Sequence, residues 1–228
     1  MAGWGEVVAD VILCPLYIYL LIRLATASDD YFKSPFYTFF IATGVYSIST
    51  VFSYQIVAQF VDQYWTTYIY KLAYGVNTFG AIGSTIGKAL IVIHRYYVIR
   101  HNDFAEKKGS RTLIRAVLAA QFAIALVATT PVWPSHYIYK NDETKDQIVA
   151  LSYSHTLILK AMSTTSYTLY IICNSIFTVL TSREMLRLKS MLQGDSSTTQ
   201  KIITHQRNMF IVVSVCSIGH LLKASQQV

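Results

Sequence analysis

Charge is what this sequence has least of. Only 14% of its 228 residues are Asp, Glu, Lys or Arg, where a soluble domain carries nearer a quarter. By contrast 53% are hydrophobic and the mean hydropathy is +0.38. Too few charges are present to cover a water-facing surface, which points to a membrane. Cysteine is also scarce: Cys14, Cys173 and Cys216 all fall inside apolar segments. That excludes a disulfide framework and a zinc site of short ligand spacing, and the three read as small core residues. No Pro-rich or Gly-rich linker and no internal repeat interrupts the chain, so one domain over residues 1–228 is the simplest organisation. HExxH, GxSxG, Walker and CxxC motifs are all missing, and "HNDFAE" after Tyr97 lacks the spacing of an acyltransferase His and Asp pair. Neither catalysis nor a cofactor nor a metal is therefore expected. The net charge of +7 does not imply a nucleic-acid partner, because the basic residues lie between apolar spans rather than on one solvated face.

What the chain has in quantity is long apolar runs. A helix needs roughly 20 apolar residues to cross a hydrocarbon core of about 30 Å. Such runs are expected as spans over about 6–27, 36–61, 69–96, 112–133 and 154–182, with a shorter sixth at 208–222 that contains His220 and stops at Lys223. The fold class is thus all-α, a multi-pass integral membrane helix bundle embedded in a lipid bilayer. "ATAS" at 25–28 also resembles a signal-peptidase site after Ala27, and cleavage there would leave five spans. Glu6 and Asp10 in place of a positive leader, with Arg23 at the far end, favour a first span instead.

Excess Lys and Arg stays on the cytoplasmic side of a membrane. With the N-terminus outside, the inner segments collect Arg23, Lys33, Arg95, Arg100, Lys107, Lys108, Arg111, Arg115, Arg183, Arg187, Lys189, Lys201 and Arg207, thirteen of the 19 basic residues. The outer loops keep only Lys71, Lys140 and Lys145. Trp4, Trp65 and Trp133 all fall at the outer boundary, where indole rings sit at headgroup level. Two independent signals agree on an outside N-terminus.

The third span carries most of the unusual chemistry. In "GAIGSTIGKALIVIHRYY", Gly80, Gly83, Ser84 and Gly87 recur at helical spacing, and Gly83 to Gly87 forms a small-xxx-small pair that admits a close neighbouring helix. Lys88 sits two turns, roughly 10 Å, deeper than Arg95. An ammonium there costs about 2.5–3.5 kcal/mol unless it meets a partner or water. Both a buried polar network and snorkelling to the inner headgroups satisfy it. Arg95, flanked by His94 and Tyr96 at the inner end, can pair with a carboxylate or carbonyl and exchange that pairing when helices move, although membrane anchoring would also place an Arg there. "REMLRLKSML" continues the fifth span as a basic helical extension that can dock a cytosolic partner or anionic lipid through Arg183 and Arg187, before the break at Gly194 and Asp195. Near the outer ends, Tyr70 and Tyr74 of the third span and Tyr153, His155 and Lys160 of the fifth are candidates for a small-molecule pocket, in positions that headgroup anchoring would fill equally well.

The span order, the outside N-terminus and "HRYY" resemble a seven-helix G-protein-coupled receptor. More closely, "LCPLYIYLLIRL", "KSPFYTFFIATGVYSI", "HRYYVIRH" and "SREMLRLKSML" are similar to nematode serpentine chemoreceptors of the class gamma superfamily, class V. The resemblance implies detection of a small environmental or pheromone-like chemical, coupling to a heterotrimeric G protein, and residence in the plasma membrane or a sensory cilium. It places His94, Arg95 and Tyr96 where rhodopsin-like receptors have an acidic residue, Arg and Tyr. His94 removes the acidic partner that restrains the Arg within that triplet. The second span lacks the usual Asp ("FIATGVYSIS"), and no Cys marks the outer end of the third. With a short sixth stretch and no seventh, the expectation is a truncated receptor that has lost part of its pocket and G-protein cleft and is a candidate for a nonsignalling form. A small-solute transporter, and a nonsignalling scaffold that pairs with other receptors through Gly83 and Gly87, stay open beside it.

Overall fold

A computed structural model describes residues 4–28, 34–59, 67–100, 110–134, 137–139, 148–151 and 153–191. Within them run five long helices, α1 (Trp4–Ala25), α2 (Pro35–Gln59), α3 (Thr67–Arg100), α4 (Ser110–Ala128) and α5 (Tyr153–Met191). Each coincides with an expected span. The α5 helix extends through the basic stretch to Met191, and the stretch at 208–222 lies outside the described residues. By length and composition, three of the helices can cross a membrane, over Pro35–Gln55, Ile69–Arg100 and Thr112–Val132.

Backbone groups in hydrocarbon must find partners within the chain, which a helix provides. The same demand governs the hydroxyls. Along α2, Thr43 donates to the Phe39 carbonyl at 2.7 Å, Thr50 to Tyr46 at 3.0 Å and Ser53 to Ser49 at 2.6 Å. Pro35 opens α2, at a position where its missing N–H costs nothing. At the far end of α4, Thr129 and Thr130 return their hydroxyls to the carbonyls of Leu126 and Val127, and a 3-10 turn over Thr130–Val132 leads out of the helix.

The outer surface inverts the soluble pattern. Val127 is 66% exposed and Leu169 58%, and Phe122, Ile124, Ile172, Ile176 and Val179 are exposed with them. Thr43, Ser53, Ser84, Thr85 and Gln121 are instead buried between helices. Lipid is as apolar as leucine, so such helices associate through close packing and interhelical hydrogen bonds rather than burial of apolar area.

Helix α3 is the hub, packed against α2, α4 and α5. Gly80 meets Thr50 of α2 and Gly87 meets Thr43, so α2 runs antiparallel to α3. Gly83 bonds Gln121 of α4 while Gly75 meets Trp133 beyond it, which makes α4 antiparallel as well. Tyr74 packs with Leu159 and Tyr96 with Phe177, so α5 runs parallel to α3. Ile82, Ala125 and Ala128 form one core cluster, with Phe79, Ile86 and Met162 against it.

One element departs from the all-helical expectation. Between α4 and α5, strands β1 (Tyr137–Tyr139) and β2 (Ile148–Leu151) pair antiparallel, with Tyr137 opposite Leu151 and Ile138 opposite Ala150. "YIY" and "IVAL" are aromatic and β-branched stretches too short to cross a membrane, and a hairpin pairs their backbone groups in the loop. The helix bundle itself stands as expected.

Candidate functional site

The small residues of α3 lie inside the bundle. A methyl group built on Gly80 would come within 2.7 Å of the Tyr46 carbonyl, on Gly83 within 2.6 Å of Tyr46 Cε1, and on Gly87 within 2.8 Å of Gln121 Nε2. The stripe is thus filled by α2 and α4 of the same chain. Ser84 and Ser47 of α2 share a hydrogen bond of 2.9 Å. Gln121, 1% exposed, donates from Nε2 to the Gly83 carbonyl at 2.7 Å. Its Oε1 is buried with no hydrogen-bond partner among the described residues. Lys88, one residue past this seam, is half-buried.

At the C-terminal end of α3, Arg95 is 6% exposed and its guanidinium carbon sits 5.9 Å from the centre of the Phe36 ring, in the first turn of α2. The His94 imidazole lies edge-on to Phe39 at 5.7 Å, and its Nδ1 is buried with no hydrogen-bond partner among the described residues. Tyr96 is buried against Phe177 of α5, with ring centres 5.5 Å apart. One turn on, Arg100 donates from Nη1 to the Tyr96 hydroxyl at 2.6 Å. Consecutive residues of one helix therefore brace two neighbours, His94 and Arg95 gripping α2 and Tyr96 gripping α5. Arg183 and Arg187 are exposed on α5, and Arg187 lies 3.7 Å from Glu184, a surface pair worth at most about 1 kcal/mol.

At the opposite end, the rings of Tyr70 and Tyr74 stack with centres 6.3 Å apart. Tyr74 packs on Val132 and Leu159, joining α3, the 3-10 turn and α5. The Trp133 indole covers Gly75, whose Cβ position is 3.5 Å from it. Lys160 is exposed on α5. Tyr153 and His155 belong to the first turns of α5, and their side chains lie outside the described set.

Residue type and position mark Tyr70, Tyr74, His94, Arg95 and Tyr96 in the sequence, but not what each one meets. Phe36, Phe177, Gln121 and Tyr46 carried no signal beyond being aromatic, or a lone amide, within an apolar run.

A family model described as "Serpentine type 7TM GPCR chemoreceptor Srv" matches residues 7–222. Among solved structures, squid rhodopsin matches with a TM-score of 0.63 and 12% sequence identity, over 92% of this chain and 60% of the rhodopsin chain. At that identity the likeness concerns the fold. Comparison with curated protein sequences finds no match.

Proposed function

Since the chain belongs to the serpentine seven-transmembrane chemoreceptor family Srv, a family of integral membrane receptors rather than enzymes, we propose that it detects a small environmental chemical and reports it to a heterotrimeric G protein. The chemical would bind at the α3–α5 end that holds Tyr70 and Tyr74, with Tyr153, His155 and Lys160 on the adjoining turns of α5. The opposite end, with His94, Arg95, Tyr96, Arg183 and Arg187, would face the cytosol, as the gathering of Lys and Arg on that side supports. Lys88 would belong to the polar interior between the two ends. Residues 1–228 act as a single domain in this scheme, with the N-terminus outside.

The observation that carries the proposal is the burial of Arg95 where α2 and α3 converge. A guanidinium is expensive to desolvate in a membrane and is kept there where it serves a switch or a pathway. Ligand binding would favour a helix arrangement that releases it, a shift of population between two packings.

The chain spans 60% of the length of the rhodopsin chain it matches, so coupling is tested directly. Reconstituted in lipid nanodiscs with purified heterotrimeric G proteins, the chain is screened against a panel of small odorants for accelerated nucleotide exchange. An active compound is expected to lose at least about fivefold of its effect in Arg95→Ala, the lower range of allosteric coupling. Solute flux through reconstituted vesicles, with no compound changing exchange, would overturn the proposal in favour of a transporter.

A further inference from the structure

We propose that Arg115 holds the phosphate of an anionic phospholipid, one acyl chain of which lies along the alanines that follow it on α4. The inference needs only that the chain spans a bilayer, and does not rest on the receptor proposal.

Arg115 stands near the start of α4, inside the apolar stretch Thr112–Val132. Its depth follows from the α3–α4 contact, where Gln121 bonds the Gly83 carbonyl. Toward the same end of the bundle, Arg115 lies six residues from Gln121 and Arg95 twelve from Gly83. At the rise of an α-helix, Arg115 is therefore about 9 Å nearer the middle of the bundle than Arg95. Yet Arg95 is 6% exposed, whereas Arg115 is on the outer surface with Leu113, 52% exposed, and Ala116. A guanidinium on a lipid-facing surface is expensive to desolvate, so its stem runs toward the headgroups and its charge seeks an anion there. Its five N–H donors form a planar fork that matches phosphate bidentately, and a single protein contact would not exhaust them.

The surface that follows is low. Ala116, Ala119, Ala120 and Ala123 are all exposed over two turns, and Ala119 shares the face of Arg115 one turn on. Phe122, 52% exposed, stands beside them. Methyl side chains let a neighbour approach the helix closely, which leaves room for an acyl chain beneath a phosphate on Arg115. The surrounding charge selects the headgroup. Helices α2 to α5 contain one acidic residue, Glu184, against exposed Arg100, Arg183 and Arg187 at this end. Such a field attracts a headgroup of net negative charge and repels the ammonium of a zwitterionic one.

The chain is reconstituted in vesicles of phosphatidylcholine with a minority of phosphatidylglycerol of matched acyl chains. It is then released into mild detergent, and the lipids it retains are counted by native mass spectrometry. Phosphatidylglycerol is expected to be enriched about fivefold over its share of the vesicle, the preference that one arginine near a charged leaflet gives. Arg115→Gln should abolish that enrichment, and Arg183→Gln, on another helix of the same end, should keep it. Ala119→Phe keeps the guanidinium but fills the space below it, and should lower the number of lipids retained. Full enrichment in Arg115→Gln would overturn the proposal. Equal losses from Arg115→Gln and Arg183→Gln would also overturn it, by assigning the preference to the general field of the basic end. So would displacement of the lipid by excess inorganic phosphate, since a soluble anion would then be the ligand. Should Arg115→Gln fail to fold, Ala119→Phe decides, and wild-type retention in that variant counts against the site.

Discussion

Single side chains between the helices decide how closely the bundle packs, because the lipid around it is as apolar as the residues that face it. Gln121 is the clearest case. Its Nε2 ties α4 to the Gly83 carbonyl, while its Oε1 sits in the interior without a partner among the described residues. An interhelical hydrogen bond in a membrane is worth about 0.6 kcal/mol on average, and an orphaned carbonyl offsets part of that. Volume therefore matters more than polarity at this position. Gln121→Leu is expected to change stability by less than about 1 kcal/mol, whereas Gln121→Ala opens a void and should cost about 2 kcal/mol. Unfolding by SDS titration in mixed micelles measures both, and equal losses would show that the bond outweighs the packing.

At the scale of elements, the α2–α3 contact organises the bundle. Its close approach depends on Gly80, Gly83 and Gly87, each of which faces α2 or α4 rather than open lipid. Gly83→Ala drives a methyl group against the Tyr46 ring, which already packs on Phe79 at 5.2 Å and has little room to yield. Overpacking of this kind costs about 1–3 kcal/mol. The loss should shrink in a Tyr46→Ala background, since residues in contact do not act additively. A double-mutant cycle on thermal unfolding in detergent checks the coupling, and strict additivity would place the strain elsewhere. The same geometry weakens the idea of a scaffold that pairs with other receptors through Gly83 and Gly87: the surface such pairing would need is occupied within the chain. The β1–β2 hairpin contributes little by itself, as two strands without a third are marginal in water.

For the whole molecule the deciding feature is direction. Helices α2 and α4 run against α3 while α5 runs with it, so α2, α3, α4 and α5 alternate in direction. That alternation gathers Arg95, Arg100, Arg183 and Arg187 at one end. If this end is cytoplasmic, a membrane-impermeant amine reagent applied to intact cells labels Lys140 and Lys145 but spares Lys107 and Lys189. Extracellular labelling of Lys107 or Lys189 would reverse the topology and remove the basis for placing a G protein there.

The sequence by itself determined the environment, the positions of five helices and the alternation of their ends, because those follow from the length of apolar runs and from where cations stop them. It could not show which faces meet. In water, polar and apolar residues sort a helix into an outside and an inside; in lipid both faces are apolar, and the signature that would tell them apart is weak. The occupants of the glycine stripe, the burial of Gln121 and the ring beneath Arg95 each depend on residues brought together from different helices. Only the tertiary packing decided those, since close fit between helices, not hydropathy, selects the interior of a membrane bundle.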